Sequence, residues 1–147
     1  MWTHYLQAAA EVATALGVFF AGWQLLAAKR QSITEFEDSL GREYREIAQR
    51  LPVEALLGGS LDESELKEAL DCFYHYIDLS NEQTFLRMNG RVTRETWRNW
   101  ADGIRGNLSR PAFRAAWEEI SRRATDSFSE LRRLEASDFK ADPRAWA

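Results

Sequence analysis

An apolar segment close to the N-terminus constrains this chain more than any other feature. The segment extends from Tyr5 to Ala28, and the part from Val12 to Ala28 contains no charged residue. A helix of about 20 to 24 residues is ~30 to 36 Å long, which is enough to cross the hydrocarbon core of a bilayer. The sequence therefore predicts a single-pass membrane anchor over residues 1–30, in contact with membrane lipid.

The charges beside this segment predict its orientation. Residues 1–11 contain no Lys or Arg, whereas Lys29 and Arg30 directly follow the apolar run. A secretory signal peptide would begin with a basic region, so the segment is interpreted as a retained anchor. By the positive-inside rule, the basic pair predicts a cytoplasmic C-terminal domain and an N-terminus outside the membrane.

Small residues recur at every fourth position of the predicted anchor. A stripe of small side chains lets a second membrane helix approach closely. The pattern therefore predicts a helix–helix contact with a second copy of the chain or with another membrane protein. The stripe, called the small-residue ridge below, consists of Ala9, Ala13, Gly17 and Ala21.

The alternative to an anchor is the buried helix of a fully soluble bundle. Glu11 is costly in lipid, and the segment is rich in alanine rather than leucine. A helix that is apolar on all sides must, however, be enclosed by something. We therefore prefer the anchor.

The rest of the chain is predicted to be helical. Apolar residues continue at spacings of three and four up to Pro52, which predicts an amphipathic stalk. Asp62 with Glu65 resembles a capping box, and the helix that it begins is predicted to end at Asn89. Thr93 and Ser109 are predicted to cap two further helices. The apolar stripe of the stalk comprises Ile33, Phe36, Leu40, Tyr44, Ile47 and Leu51, and that of the last helix Phe113, Trp117, Ile120, Phe128 and Leu131.

No segment shows the period-two alternation of a strand, so the predicted fold class is all-α. An N-terminal transmembrane helix continues into the stalk, and a small helical bundle follows. The predicted domains are the anchor, a helical cytoplasmic domain over residues 31–137 and an irregular tail over residues 138–147.

Composition excludes several classes of function. The net charge is -4 and basic residues alternate with acidic ones, which argues against nucleic-acid binding. Cys72 is the single cysteine, so the chain has no internal disulfide. The sequence contains no glycine-rich phosphate loop, dinucleotide fingerprint or zinc spacing, and no cofactor is predicted.

Four side chains that can bind a metal share one face of the helix after Asp62. At about 100° per residue, spacings of four, three and four confine them to a sector of ~60°. They are Asp71, His75, Asp78 and Glu82. We favour an ordinary solvated stripe, since one helix rarely completes a coordination sphere, and predict no metal.

A thiol enzyme is a second alternative. Cys72 and His75 are three residues apart and can touch along a helix. No third group that would orient the histidine is evident, so no catalytic residue is predicted.

Three tryptophans at helical spacings, Trp97, Trp100 and Trp117, have aliphatic neighbours. Core packing explains them adequately. Because tryptophan is enriched at binding hot spots, a partner surface is the alternative interpretation.

The run FYHYIDLSNEQTFLRMNG, followed by TWRNW and NLSRPAFRAAW, resembles an uncharacterised group of short bacterial proteins. These have an N-terminal membrane helix and a helical cytoplasmic domain. The resemblance covers roughly residues 35–120. It implies a bacterial inner-membrane protein and carries over no site residues.

Together these observations predict a membrane-anchored helical interaction protein. It would be a self-associating regulator or an accessory subunit of a larger membrane complex. A metal-dependent or thiol enzyme of unknown reaction is the alternative.

Overall fold

The computed structural model describes the chain from Trp2 to Ala147; Met1 and the side chains at positions 3, 4 and 8–10 lie outside the described residues. Over this part of the chain the structure contains α-helices, one 3₁₀ helix and no strand, so the all-α prediction is confirmed. The helices are α1 (Trp2–Ala48), α2 (Val53–Leu56), α3 (Glu63–Met88), α4 (Arg94–Leu108), α5 (Pro111–Arg123) and α6 (Ser129–Ala136), followed by a C-terminal 3₁₀ helix (Pro143–Trp146).

The chain divides into two compact units, residues 1–36 and 37–147. The first unit consists of the N-terminal part of α1. The second unit, called the bundle below, contains the end of α1 and all the later helices. In the bundle, the predicted stalk residues Leu40, Ile47 and Leu51 are buried.

Glu37 connects the bundle's part of α1 to the beginning of α4. One carboxylate oxygen accepts a hydrogen bond from the backbone N–H of Thr93 at 2.7 Å, and the other accepts from the Thr96 hydroxyl at 2.7 Å. A carboxylate is favourable there because the N-terminus of a helix carries partial positive charge and unpaired N–H groups. Thr93 also caps α4 with its own hydroxyl, as the sequence predicted.

Helix α3 is the centre of the bundle and contacts α4, α5, α6 and the 3₁₀ helix. Its start is the predicted capping box: the Asp62 carboxylate accepts from the N–H of Glu65 at 2.8 Å, and the Glu65 carboxylate accepts from the N–H of Asp62 at 2.9 Å. The ring of Phe113 packs edge-on against Phe73 and Tyr76, with both centroid distances 5.1 Å. These aromatic contacts hold α5 on α3.

The predicted cap at Ser109 is wrong. Ser109 ends α4, and its hydroxyl donates to the carbonyl of Gly106 at 2.7 Å. The residue before α5 is Arg110, and Pro111 occupies the first turn. Proline suits that position because its fixed φ is helical and it has no N–H to leave unpaired.

The last predicted helix is two helices. Helix α5 ends at Arg123, and α6 begins after Phe128, which has a left-handed φ of 62° and no capping side chain. The amide oxygen of Asn81 in α3 supplies the missing cap, since it accepts from the N–H of Leu131 at 3.0 Å. A polar residue from a distant helix thus holds the start of α6 against the core.

The C-terminal segment is not the irregular tail that the sequence predicted. Its 3₁₀ helix contacts α3, Pro143 is buried, and the Arg133 guanidinium lies over the ring of Trp146, 4.5 Å from the ring centroid. The segment belongs to the same compact unit as the later helices, and its buried Pro143 packs into that unit.

Candidate functional site

The N-terminal part of α1 presents apolar side chains all round its circumference. Every residue from 11 to 32 is exposed, including Phe19 at 76% and Trp23 at 62%. The segment has a mean hydropathy of 1.4 over its most apolar window, none of which is buried. It is therefore one helix near the N-terminus that is long and apolar enough to span a membrane.

The small-residue ridge lies on this segment. Ala13, Gly17 and Ala21 are exposed, and the side chain of Ala9 lies outside the described residues. No atom lies within 4 Å of a Cβ built on Gly17. The backbone at Gly17 is consequently accessible to another helix.

The four candidate metal-binding side chains, for which the sequence favoured a solvated stripe, lie on an exposed face of α3. His75 Nε2 is 3.6 Å from Asp71 Oδ1. The pKa of Glu82 is raised by partial burial and by the negative charges of Glu43 and Asp78. Within the described part of the chain, no three His, Cys, Asp or Glu side chains are grouped as a metal site would require.

Cys72 is a half-buried free thiol on α3, and His75 is exposed. Both nevertheless belong to the same helix, as predicted. Within the part of the chain that the structure describes, no hydrogen bond joins Cys72 and His75, and the imidazole Nε2 of His75 lies 3.6 Å from Asp71 Oδ1 instead.

Two of the three predicted partner-surface tryptophans are core residues. Trp97 is 3% exposed and Trp117 is 2% exposed; the indole N–H of Trp117 donates to Glu135 at 2.8 Å. The burial of both agrees with the core-packing interpretation and removes them from the alternative partner surface of the folded bundle. Trp100 is half-buried and lines a cleft.

This cleft is formed by α1, α3 and α4 within the bundle. It has a volume of about 170 Å³ and is partly open to solvent. We call it the Gln83 cleft, after the most deeply buried amide that lines it. It is lined by Gly41, Tyr44, Tyr76, Gln83, Asn99, Trp100, Gly103, Ile104 and Asn107.

Neutral polar groups form one wall of the Gln83 cleft. The Asn107 amide donates to the Tyr76 hydroxyl at 3.1 Å, and its oxygen accepts from Arg110 at 2.8 Å. Burial raises the pKa of Tyr76 to about 12, so the phenol is uncharged at neutral pH and still has its proton to donate.

A second polar cluster joins the C-terminal segment to α3. The Arg87 guanidinium donates to both carboxylate oxygens of Asp142, at 2.8 and 2.7 Å, and to the carbonyl of Val92 at 2.9 Å. Arg87 is 8% exposed. The bidentate pair holds the pKa of the Asp142 carboxyl below its usual range.

Sequence reasoning did not identify Tyr76, Gln83 or Arg87 as a group. Their spacings of seven and four place them on the stripe of α3 that also carries buried Phe73 and Ile77. These three residues could have been identified from the sequence because they are polar residues on an otherwise apolar stripe. The partners Asn107 and Asp142 come from distant elements and have no comparable signal.

Comparison with protein-family models, with curated proteins and with solved structures gave no match.

Proposed function

We propose that this protein is a single-pass membrane-anchored interaction protein that carries its helical bundle on the cytoplasmic face of a bacterial inner membrane. It would act as a self-associating regulator or as an accessory subunit of a larger membrane complex. The observation that supports this proposal is the exposure of the apolar part of α1 on all sides.

Burial of apolar side chains favours a membrane location for this helix. Removing one large apolar side chain from water is worth about 1.5–3 kcal/mol. The segment exposes many of them, among them Leu16, Phe19, Phe20, Leu25 and Leu26. Water is therefore a poor solvent for this helix, whereas lipid covers it without requiring a partner protein of matching shape. The soluble-bundle alternative needs such a partner.

Orientation is the part of the proposal that a direct experiment can test. A cysteine at Thr3 and a cysteine at Ser60 are compared in a Cys72→Ser background; Ser60 is exposed between α2 and α3. In intact cells, a membrane-impermeant thiol reagent is expected to label Thr3→Cys and not Ser60→Cys. Permeabilisation should make Ser60→Cys reactive. Labelling of Ser60→Cys in intact cells would reverse the orientation.

The small-residue ridge supports the interaction part of the proposal, and Gly17→Ile tests it. A β-branched side chain at Gly17 blocks close approach of a second helix, while Val18→Ile adds one methylene group about 100° away round the helix. Since such contacts contribute on the order of 1 kcal/mol, Gly17→Ile is expected to weaken association several-fold.

The measurement is cross-linking of the full chain in detergent and co-purification of membrane partners. Val18→Ile should behave as the wild type. If both variants retain every partner equally, the ridge is a lipid-facing surface and the interaction part of the proposal loses its support.

A further inference from the structure

The Gln83 cleft carries an inference beyond the proposed function, and it does not depend on the anchor because every lining residue belongs to the bundle. Its volume of about 170 Å³ is close to that of an internal cavity of ~150 Å³, which holds a benzene ring. The space therefore suits a molecule with one ring rather than a nucleotide or a peptide.

The amide of Gln83 points to the chemistry of the occupant. Gln83 is 5% exposed, and no group in the part of the chain that the structure describes is seen to hydrogen-bond to its amide. No fully enclosed polar atom of that part lacks a partner, so the amide opens into the cleft. A ligand that offers the complementary acceptor and donor can replace the water that this amide otherwise meets in the cleft.

The remaining lining excludes a charged ligand. Every side chain that lines the cleft is neutral, and the nearby Arg110 guanidinium already donates to Asn107. A carboxylate or an ammonium group would lose its hydration there without gaining an ion pair. Tyr44, Trp100 and Ile104 supply apolar surface against which a ring can pack.

Gly103 keeps the cleft open on the α4 side. Gly103 lies inside α4, where glycine is unfavourable by about 1 kcal/mol relative to alanine, and no atom lies within 4 Å of a Cβ built on it. A side chain at Gly103 would therefore occupy the cleft without a backbone clash. Gly106 is also inside α4 with open space at its Cβ, but it does not line the cleft.

We propose that the Gln83 cleft binds a small uncharged molecule that has one ring and an amide-like edge. The N–H of the ligand's amide donates to the Gln83 amide oxygen, and the Gln83 amide N–H donates to the ligand's carbonyl oxygen. The ligand's ring packs between Tyr44 and Trp100.

Benzamide is the probe for this proposal, with benzoate and acetophenone as matched comparisons. Benzoate replaces the amide by a charge, and acetophenone replaces the amide nitrogen by a methyl group. Binding to the full chain in lipid nanodiscs is measured by saturation-transfer NMR, with empty nanodiscs as the blank. Benzamide is expected to bind at least about tenfold more tightly than either analogue, the factor for one hydrogen bond left unmade.

Three variants locate the binding. Gly103→Leu is expected to abolish benzamide binding, whereas Gly106→Leu should leave it unchanged. Gln83→Leu is expected to remove the preference for benzamide over acetophenone while near-UV circular dichroism shows a folded bundle. Should Gly103→Leu fail to fold, the Gln83→Leu comparison decides by itself.

Absence of benzamide binding above the empty-nanodisc blank would overturn the proposal. Equal binding by Gly103→Leu and Gly106→Leu would place the probe outside the cleft and overturn it as well. Equal affinity of the wild type for benzamide and acetophenone would show that the amide edge is not recognised.

Discussion

Phe19→Arg combined with Phe20→Arg is expected to release the protein from the membrane. Both phenylalanines are exposed near the middle of the apolar segment. One arginine at the centre of a membrane helix costs about 2.5–3.5 kcal/mol by insertion scales, so the pair costs on the order of 6 kcal/mol. That free energy corresponds to a change of about 10⁴-fold in partitioning.

Flotation of cell lysate in a density gradient is the measurement, because aggregated protein sinks while membrane-bound protein floats. Gln31→Arg combined with Ser32→Arg is the matched control. It adds the same two charges to the same helix beyond Lys29 and Arg30, where they agree with the positive-inside rule. If the two double variants float alike, the apolar segment is not in the membrane.

Asp142→Asn is expected to destabilise the bundle. The substitution keeps the shape of the side chain but removes the charge that faces the buried Arg87 guanidinium. Loss of this charge-assisted bidentate pair is expected to lower the free energy of unfolding by about 1–2 kcal/mol at pH 7. This value is reduced for solvent screening, because the Asp142 side chain is 38% exposed.

The effect should depend on pH with a definite sign. Arg87 lowers the pKa of Asp142 in the folded state, so the stabilisation is present above the unfolded carboxyl pKa of about 3.9 and is lost as the pH falls through the lower folded value. The Arg87 pKa is itself raised, so the guanidinium stays charged throughout. The difference in stability between wild type and Asp142→Asn should therefore be full at pH 7 and should shrink as the pH falls below about 3.9.

Urea unfolding of the full chain in detergent, followed by near-UV circular dichroism, measures this difference. Asp138→Asn is the control, because Asp138 pairs with Lys140 at 2.7 Å on the exposed surface. It should change the midpoint much less at either pH. A difference between wild type and Asp142→Asn that persists unchanged at pH 3 would show that the charge of Asp142 is not responsible.

The sequence predicted those helix ends that are capped by residues within one turn. The Asp62–Glu65 box and the Thr93 cap were predicted because the capping side chain and the N–H it accepts from are three residues apart. The same reasoning failed at Ser109, which lies one residue before the N-cap position, because the helix begins at Pro111 and Arg110 precedes it. It failed again at α6, whose cap comes from Asn81, fifty residues away.

The candidate sites show the same contrast between features that depend on neighbouring residues and features that depend on distant ones. The apolar segment from Val12 to Ala28 and the basic pair after it are properties of contiguous sequence, so they were found without a structure. The Gln83 cleft was missed because its wall joins Tyr44 of α1, Gln83 of α3 and Trp100 of α4, and no pattern in the sequence brings these three helices together.

The sequence by itself determined the all-α class, the apolar helix near the N-terminus, both ends of α3 and the start of α4, because these depend on hydrophobic periodicity and on side chains within one helical turn. Only the tertiary structure decided that Trp97 and Trp117 are core residues, that the C-terminal segment is held by Arg87, and that an unpartnered amide faces a cleft. The physical reason is that the burial and pairing of a side chain depend on which helices meet. Helices with similar amphipathic patterns can pack in many arrangements, and only the complementary shape of the assembled side chains selects one of them.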